Sequence, residues 1–423
     1  MKILKDKGIF AFICSNKFAK ANYGKKLRKL ILENQLKIYN DFTGLKIFKE
    51  ASVDTCVIQI KKDFIENNEV YVDDEYFMKQ NKLNSNSFMF NSPQILDLRE
   101  KIFNQGTLIK DLDIQINYGI KTGFNKAFII DEKTKDKLIS EDFNNKEIIK
   151  PLLRGRDIDK WRINYDNLYL IHSYDGLNTK EEYPFIYKHL CQFQEQLEKR
   201  YDKGKKWYNL RACSYRDLFE KEKLIYPNMA SGLYPVYDNN KYYTNQKCFI
   251  LTSNSINLKY LNGLLASNVL NFIFSLIGSN LGSKGYDLNK IFIEQLPINL
   301  ENNNMLKIID ITDNILKISK NISKYEKNMF EFLKKENNIN KLSKKLKNFY
   351  KLSESEFLKE VKKKNKKITN ELILINKFNS IKLKISLLYD ELEINNNKLN
   401  KNVYEIYKLN KDEINIIEKI INF

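Results

Sequence analysis

Glycine and proline run out well before this chain does. In 423 residues the last glycine is Gly285 and the last proline Pro297. Residues 301–423 therefore hold neither of the strongest helix breakers. There Ile308, Ile311, Ile315, Ile318, Ile322, Tyr325, Met329 and Phe332 recur at alternating three- and four-residue spacing. That spacing is a helix–helix seam. Ser353 with Glu356, and Asn410 with Glu413, have the spacing of a capping box. The segment is predicted to be a set of packed helices. Its basic run at 362–367 reads as a solvated face.

The rest of the chain is patterned differently. Residues 108–300 hold five of the six prolines and most of the glycines. Short strands at 126–130 and 168–171, with helical pieces at 180–200 and 258–277, predict a mixed α/β domain. At the other end, residues 8–15 (GIFAFICS) form a nearly unbroken apolar run, expected as a strand buried on both faces. A helix within 17–34, carrying Leu27, Leu30 and Ile31 on one side, then strands at 36–42 and 53–62, follow. Strand, helix, strand, strand is the tail of an α/β domain. Four elements are too few for a whole doubly wound sheet. Residues 63–107, polar and Asn-rich, read as an irregular linker.

Composition removes several classes. At 43% hydrophobic, with 25 Tyr and 26 Phe, the chain can bury cores and is not wholly disordered. Its 72 Lys and Arg against 53 Asp and Glu, a net +19, favour an anionic partner. Lysine is crowded with Asn and Ile, as AT-rich coding favours, so the charge does not by itself locate a binding face. Cys14, Cys56, Cys191, Cys213 and Cys248 have no CxxC spacing, and His172 and His189 stand alone. This predicts reduced thiols, a cytoplasmic location and no metal. No apolar run is long enough to cross a membrane. No phosphate loop, dinucleotide turn or nucleophile elbow occurs.

The N-terminal pattern resembles the later half of the catalytic domain of Eco57I-like and TaqI-like adenine-N6 DNA methyltransferases of restriction–modification systems. The resemblance rests on Y-G-x-x-L-R at Tyr23 to Arg28, the Ile47–Phe48 pair, and the apolar strand after it. The segments 117–131, 148–161, 207–229 and 279–298 resemble the target-recognition domain of the same enzymes, and the final helices its closing segment. The resemblance implies an incomplete Rossmann-like methyltransferase tail over 1–62. After the linker at 63–107 it implies a mixed α/β target-recognition domain over 108–300 and a helical segment over 301–423. It also implies S-adenosylmethionine as cofactor. Yet no two of the six prolines are adjacent, so N-P-P-Y is absent, as is the acidic glycine-rich cofactor loop. No catalytic or cofactor-binding residue is therefore assigned within these residues, and the chain alone is expected to be inactive.

Within that resemblance, Phe48 is expected to stack on a flipped target base. Asn16 and Lys17 border the same pocket or form a plain turn. Candidate contacts to double-stranded DNA are Lys121, Thr122, Arg154, Arg156, Trp161, Arg211, Arg216 and Lys284, in loops of the middle domain. The expected partners are DNA and an N-terminal methyltransferase polypeptide encoded upstream. Two other readings remain: a stand-alone DNA-binding specificity subunit, and a remnant without function.

Overall fold

The computed structural model describes residues 1–423 except 46, 49, 51–52, 283–284, 301–302, 366–369 and 422–423. The N-terminal sheet has five strands: β1 (Ile9–Ser15), β2 (Gln35–Asp41), β3 (Thr55–Lys61), β4 (Glu69–Val72) and β5 (Tyr76–Lys79). Their spatial order is β1-β3-β2-β4-β5. Because β3 runs antiparallel to both β1 and β2, those two are parallel to each other. Helix α1 (Lys25–Leu32) makes the crossover that parallel strands require. β4 is parallel to β2, and β5 antiparallel to β4. Ile31 of α1 packs with Leu36, Tyr39, Cys56, Ile58, Ile60, Val70, Val72 and Met78 in one core.

Two expectations are corrected here. β1 is an edge strand, not one buried on both faces: Ile9 is 58% exposed and Phe12 54%. Its two-sided apolarity is real, but among the described residues no strand or helix covers that side. Residues 63–107 are not an irregular linker. They supply β4 and β5, and a helix, Pro93–Phe103, whose Leu96 joins the N-terminal core and whose Leu98 and Ile102 join the next one. Four-residue strands set among Asn and Asp leave too short an alternation to read.

The Tyr23–Arg28 motif has a packing explanation. Arg28 is fully buried, and its guanidinium donates to the carbonyl oxygens of Phe18, Ala21, Ser85 and Asn86. A Cβ on Gly24 would collide with the Phe18 carbonyl oxygen and stand 2.7 Å from the Arg28 guanidinium. Glycine permits the close approach, and arginine ties the two loops it brings together.

The middle region holds two four-stranded sheets. One has the order Tyr243–Thr244, Ile149–Leu153, Leu168–Ile171, Ile129–Asp131; the other Val236–Asp238, Lys223–Pro227, Cys248–Thr252, Gln115–Tyr118. Residues 126–130 are not one strand: Asn125–Phe128 is a helical turn and only Ile129–Asp131 is extended. Its two β-branched residues, Ile129 and Ile130, lie in the extended part. Helices Leu258–Leu265 and Asn268–Ile277 are almost entirely buried. Their core continues into the Met305–Asn337, Glu371–Ile406 and Lys411–Ile421 helices through Ile308, Ile315, Leu399, Val403 and Ile417. The middle and C-terminal regions thus share this core, while a second core between the two middle sheets is built around Phe128, Leu170 and Ile250, and another joins the C-terminal helices around Ile322, Phe349 and Phe378. Among the described residues no single helix is long and apolar enough to cross a membrane.

The seam appears in part as expected, with Ile311, Tyr325 and Phe332 only half-buried at its margin. Ile308, Ile315, Ile318, Ile322 and Met329 are buried on the 33-residue Met305–Asn337 helix. Ser353–Glu356 and Asn410–Glu413 each exchange the reciprocal capping hydrogen bonds. Lys366 and Lys367 lie outside the described residues.

Candidate nucleic-acid interface

Ligands in open α/β sheets sit beyond the carboxyl ends of the strands. Here β1 ends at Ser15 and β2 at Asp41, and both ends open onto a cleft of about 490 Å³. The far wall is middle-region chain between Ser275 and Phe292. The Asn16 side-chain amide donates to Asp41 Oδ1 at 3.0 Å and Thr43 Oγ1 at 2.6 Å. Asp73 Oδ1 accepts the Asp41 backbone N–H at 2.6 Å, and the Tyr39 hydroxyl donates to Asp41 Oδ2 at 3.2 Å. Burial raises the Asp73 carboxyl above its usual range; burial, then Asp41, raises the Tyr39 phenol. Tyr39 and Phe90 stack with centroids 3.5 Å apart, and Phe88 meets Phe90 edge-on. The Lys20 ammonium donates to the carbonyl oxygens of Leu276 and Gly278, at 3.2 and 3.3 Å, joining the two walls. Burial lowers its pKa and Asp41 opposes that. The cleft offers stacked aromatics, fixed carboxylates and an amide, a set suited to the edge and face of a planar heterocycle.

Phe48 lies in the loop between β2 and β3, at the same end of the sheet, with 45% of its surface exposed, but it is not among the described residues that line the cleft. Asn16 and Lys17 both line the cleft. No glycine lines it. The described lining of this cleft therefore does not form a glycine-rich cradle fitted to S-adenosylmethionine, and no step is routed through that cofactor below.

The middle-domain candidates divide. Lys121 and Arg211 are brought together on Asp202, at 2.8 and 3.3 Å. Thr122 is buried, its hydroxyl spent on Asn125. Arg154 faces inward, bidentate to Asp157 and bonded to Asp166, while Arg156 is exposed. Trp161 is buried, and its indole N–H donates to Asn396 of the C-terminal helix at 2.8 Å. The Arg216 guanidinium lies 4.1 Å over the Tyr174 ring, with Asp217 at 3.5 Å. Lys284 lies outside the described residues.

Beside Arg216, His172 is buried against Tyr243 and Tyr174. Burial, then Lys150 and Arg216, pushes its pKa down to about 4. The folded value lies below the unfolded one, so the unfolded chain takes up a proton first. Stability is expected to fall by about 3 kcal/mol as pH drops from about 6.5 to about 4. Urea denaturation across that window checks it, with His172→Phe expected to flatten that part of the profile.

Sequence reasoning singled out Arg28 as part of a motif but not as a buried tie, and missed Arg200 and Lys20 altogether. Each looks like any other surface cation until the carbonyls it bonds are known. For the two arginines the signal available was scarcity: an arginine within a lysine-rich chain marks a place where a planar, multi-donor cation is needed; nothing in the sequence marked Lys20.

Residues 1–48 match the Eco57I restriction-modification methylase family, residues 150–298 the TaqI-like C-terminal specificity domain, and residues 301–422 a domain of unknown function (DUF8810). The Type II methyltransferase M.BstVI of Geobacillus stearothermophilus is 23% identical over 73% of this chain and 62% of its own length. The Type II restriction enzyme and methyltransferase RM.Eco57I of Escherichia coli is 21% identical over 66% of this chain and 33% of its own. A solved structure, the Type IIL restriction-modification enzyme MmeI in complex with DNA, aligns with TM-score 0.48 at 14% identity, over 89% of this chain and 50% of that one. The chain thus spans under two thirds of these relatives' length, and within it residues 150–298 match the TaqI-like C-terminal specificity domain.

Proposed function

We propose that this chain, a homologue of Type II methyltransferases with a TaqI-like specificity domain, is the DNA-reading portion of an adenine-N6-specific restriction–modification methyltransferase acting in the cytoplasm. The middle region reads the duplex, and the N-terminal sheet contributes part of the pocket for the extruded base. One observation carries the reading: the specificity region itself walls the cleft at the carboxyl ends of β1 and β2, held there by Lys20. A base taken from the stack by the first part is delivered against the second. Phe48, on the loop at that end, is the stacking candidate.

Methyl transfer needs more than these residues hold. The exocyclic amine of adenine is a poor nucleophile, its lone pair delocalised into the ring. Acceptors for both amine hydrogens must be preorganised, and the N-P-P-Y motif that would supply them does not occur here. We assign that motif and the cofactor loop to a polypeptide that extends the sheet from β1. The uncovered apolar strand favours this over a self-sufficient DNA-binding subunit, since an open edge in water invites pairing.

The test has two arms. The chain is expected to bind duplex DNA with affinity that falls roughly thousandfold between low and physiological salt, as for about six phosphate contacts. In a radiolabelled assay it is expected to transfer no methyl group alone, and to methylate adenine once co-expressed with a polypeptide carrying N-P-P-Y. Failure to bind duplex DNA at low salt would overturn the reading.

A further inference from the structure

Tyr201 is 96% exposed, yet the residues on either side of it are turned inward and pinned. Arg200 is buried, its guanidinium lying 4.6 Å from the Phe128 ring centroid and donating to the carbonyl oxygens of Thr122, Trp207 and Asn209. Asp202, on the other side, holds Lys121 and Arg211. Further along, the Lys205 backbone N–H donates to Asp175 at 2.6 Å, and a Cβ on Gly204 would stand 2.6 Å from the Leu210 carbonyl oxygen. The loop is therefore tied down at 200, 202 and 205, and Tyr201 projects from its fixed part. Residues 199–211 carry six Lys and Arg against one Asp. Lys205 and Lys206 are exposed and in no ion pair among the described residues.

A rigid aromatic at an apex, flanked by the exposed Lys205 and Lys206, matches a polyanion whose base steps a ring can enter as a wedge. Duplex DNA is that partner: phosphates answer the lysines, and a ring with few rotatable bonds loses little entropy on contact. A phosphate-only surface has no use for an exposed ring between two pinned residues. We propose that Tyr201 contacts bases in the specificity domain, its ring stacking against a base step while Lys205 and Lys206 hold flanking phosphates. This rests on the DNA-reading function proposed above and adds the residue that meets the bases.

The test uses the whole chain and a fluorescein-labelled duplex selected by the wild-type chain from a randomised pool. Tyr201→Ala is expected to weaken binding roughly five- to hundredfold, the range for losing one base–aromatic stack. Tyr201→Phe, which keeps the ring, should stay within about twofold. Neither removes charge, so the slope of log affinity against log salt stays unchanged. The Lys205→Ala/Lys206→Ala chain should lower that slope by about two. Thermal melting of all variants should match wild type, since the altered side chains are exposed. Wild-type affinity in Tyr201→Ala overturns the assignment while leaving DNA binding intact. A loss in Tyr201→Phe equal to that in Tyr201→Ala also overturns it, because the hydroxyl and not the ring would then make the contact. A wild-type chain that binds no duplex overturns both this assignment and the reading beneath it.

Discussion

Asp238→Ala is expected to cost about 3–5 kcal/mol of stability, the range for leaving a buried charge without its partner. Asp238 faces Lys223 across paired strands at 2.7 Å, and both side chains are fully buried. The Lys223 ammonium has two other partners, the carbonyl oxygens of Phe219 and Lys221. Burial already lowers its pKa and Asp238 opposes that. Without the carboxylate, the ammonium must shed its proton or draw water into the core between the two middle sheets. Asp238 also accepts the backbone N–H groups of Asn240 and Tyr242, fixing the turn after its strand. Asp238→Asn, which keeps one acceptor oxygen for that turn, should therefore lose less than Asp238→Ala. Replacing the pair together, as Lys223→Met/Asp238→Leu, should recover much of the loss. Urea denaturation at constant m-value measures all three. An Asp238→Ala midpoint equal to wild type would show that the pair is not buried as described.

The second large effect is expected at Arg28. Arg28→Ala leaves four carbonyl acceptors without their shared donor and opens a cavity beneath the loop after β1. Unsatisfied buried acceptors and lost volume together predict a cost of about 3–5 kcal/mol. Arg28→Lys should not rescue it, because a single ammonium cannot span carbonyls on the two loops as a planar guanidinium does. The damage should be local first: hydrogen exchange should quicken in residues 16–24 and 84–88 before β3 responds. Those residues adjoin the cleft, so the loss should extend to its Asn16 and Lys20 wall. Wild-type protection in Arg28→Lys would contradict this account.

The sequence made some of this legible and hid the rest for physical reasons. The C-terminal helices were readable because a seam of Ile308-type spacing has one period that no strand can satisfy. The capping boxes were readable because reciprocity needs a fixed interval. β3 was readable through its β-branched density. Sheet order was not: nothing local in β3 says that it inserts between β1 and β2 and runs against both. β1 misled because apolarity on both faces reports what a strand is built to meet, not what stands beside it in these residues. Charge direction was the other blind spot. Arg154, Arg156, Arg211 and Arg216 look alike in the chain, yet Arg154 turns inward to Asp157 and Asp166 while Arg156 faces solvent. The cleft was least visible, because its walls come from residues near 16–20, 39–43, 88–91 and 275–292, which share no pattern.

Under the DNA-reading function proposed above, the core that runs from Leu98 through Phe272 to Val403 and Ile417 bears on how the specificity of such a chain can change. A unit cut at the edges of residues 150–298 would strip the Leu258–Leu265 and Asn268–Ile277 helices of the C-terminal helices that pack on them. Exchange of specificity between relatives, by recombination or by design, therefore has two workable scales. Loop residues such as those around Tyr201 can be rewritten singly on an unchanged frame. Otherwise the transplant must extend from the Pro93–Phe103 helix to Ile421, carrying the reader and its helical foundation as one heritable block.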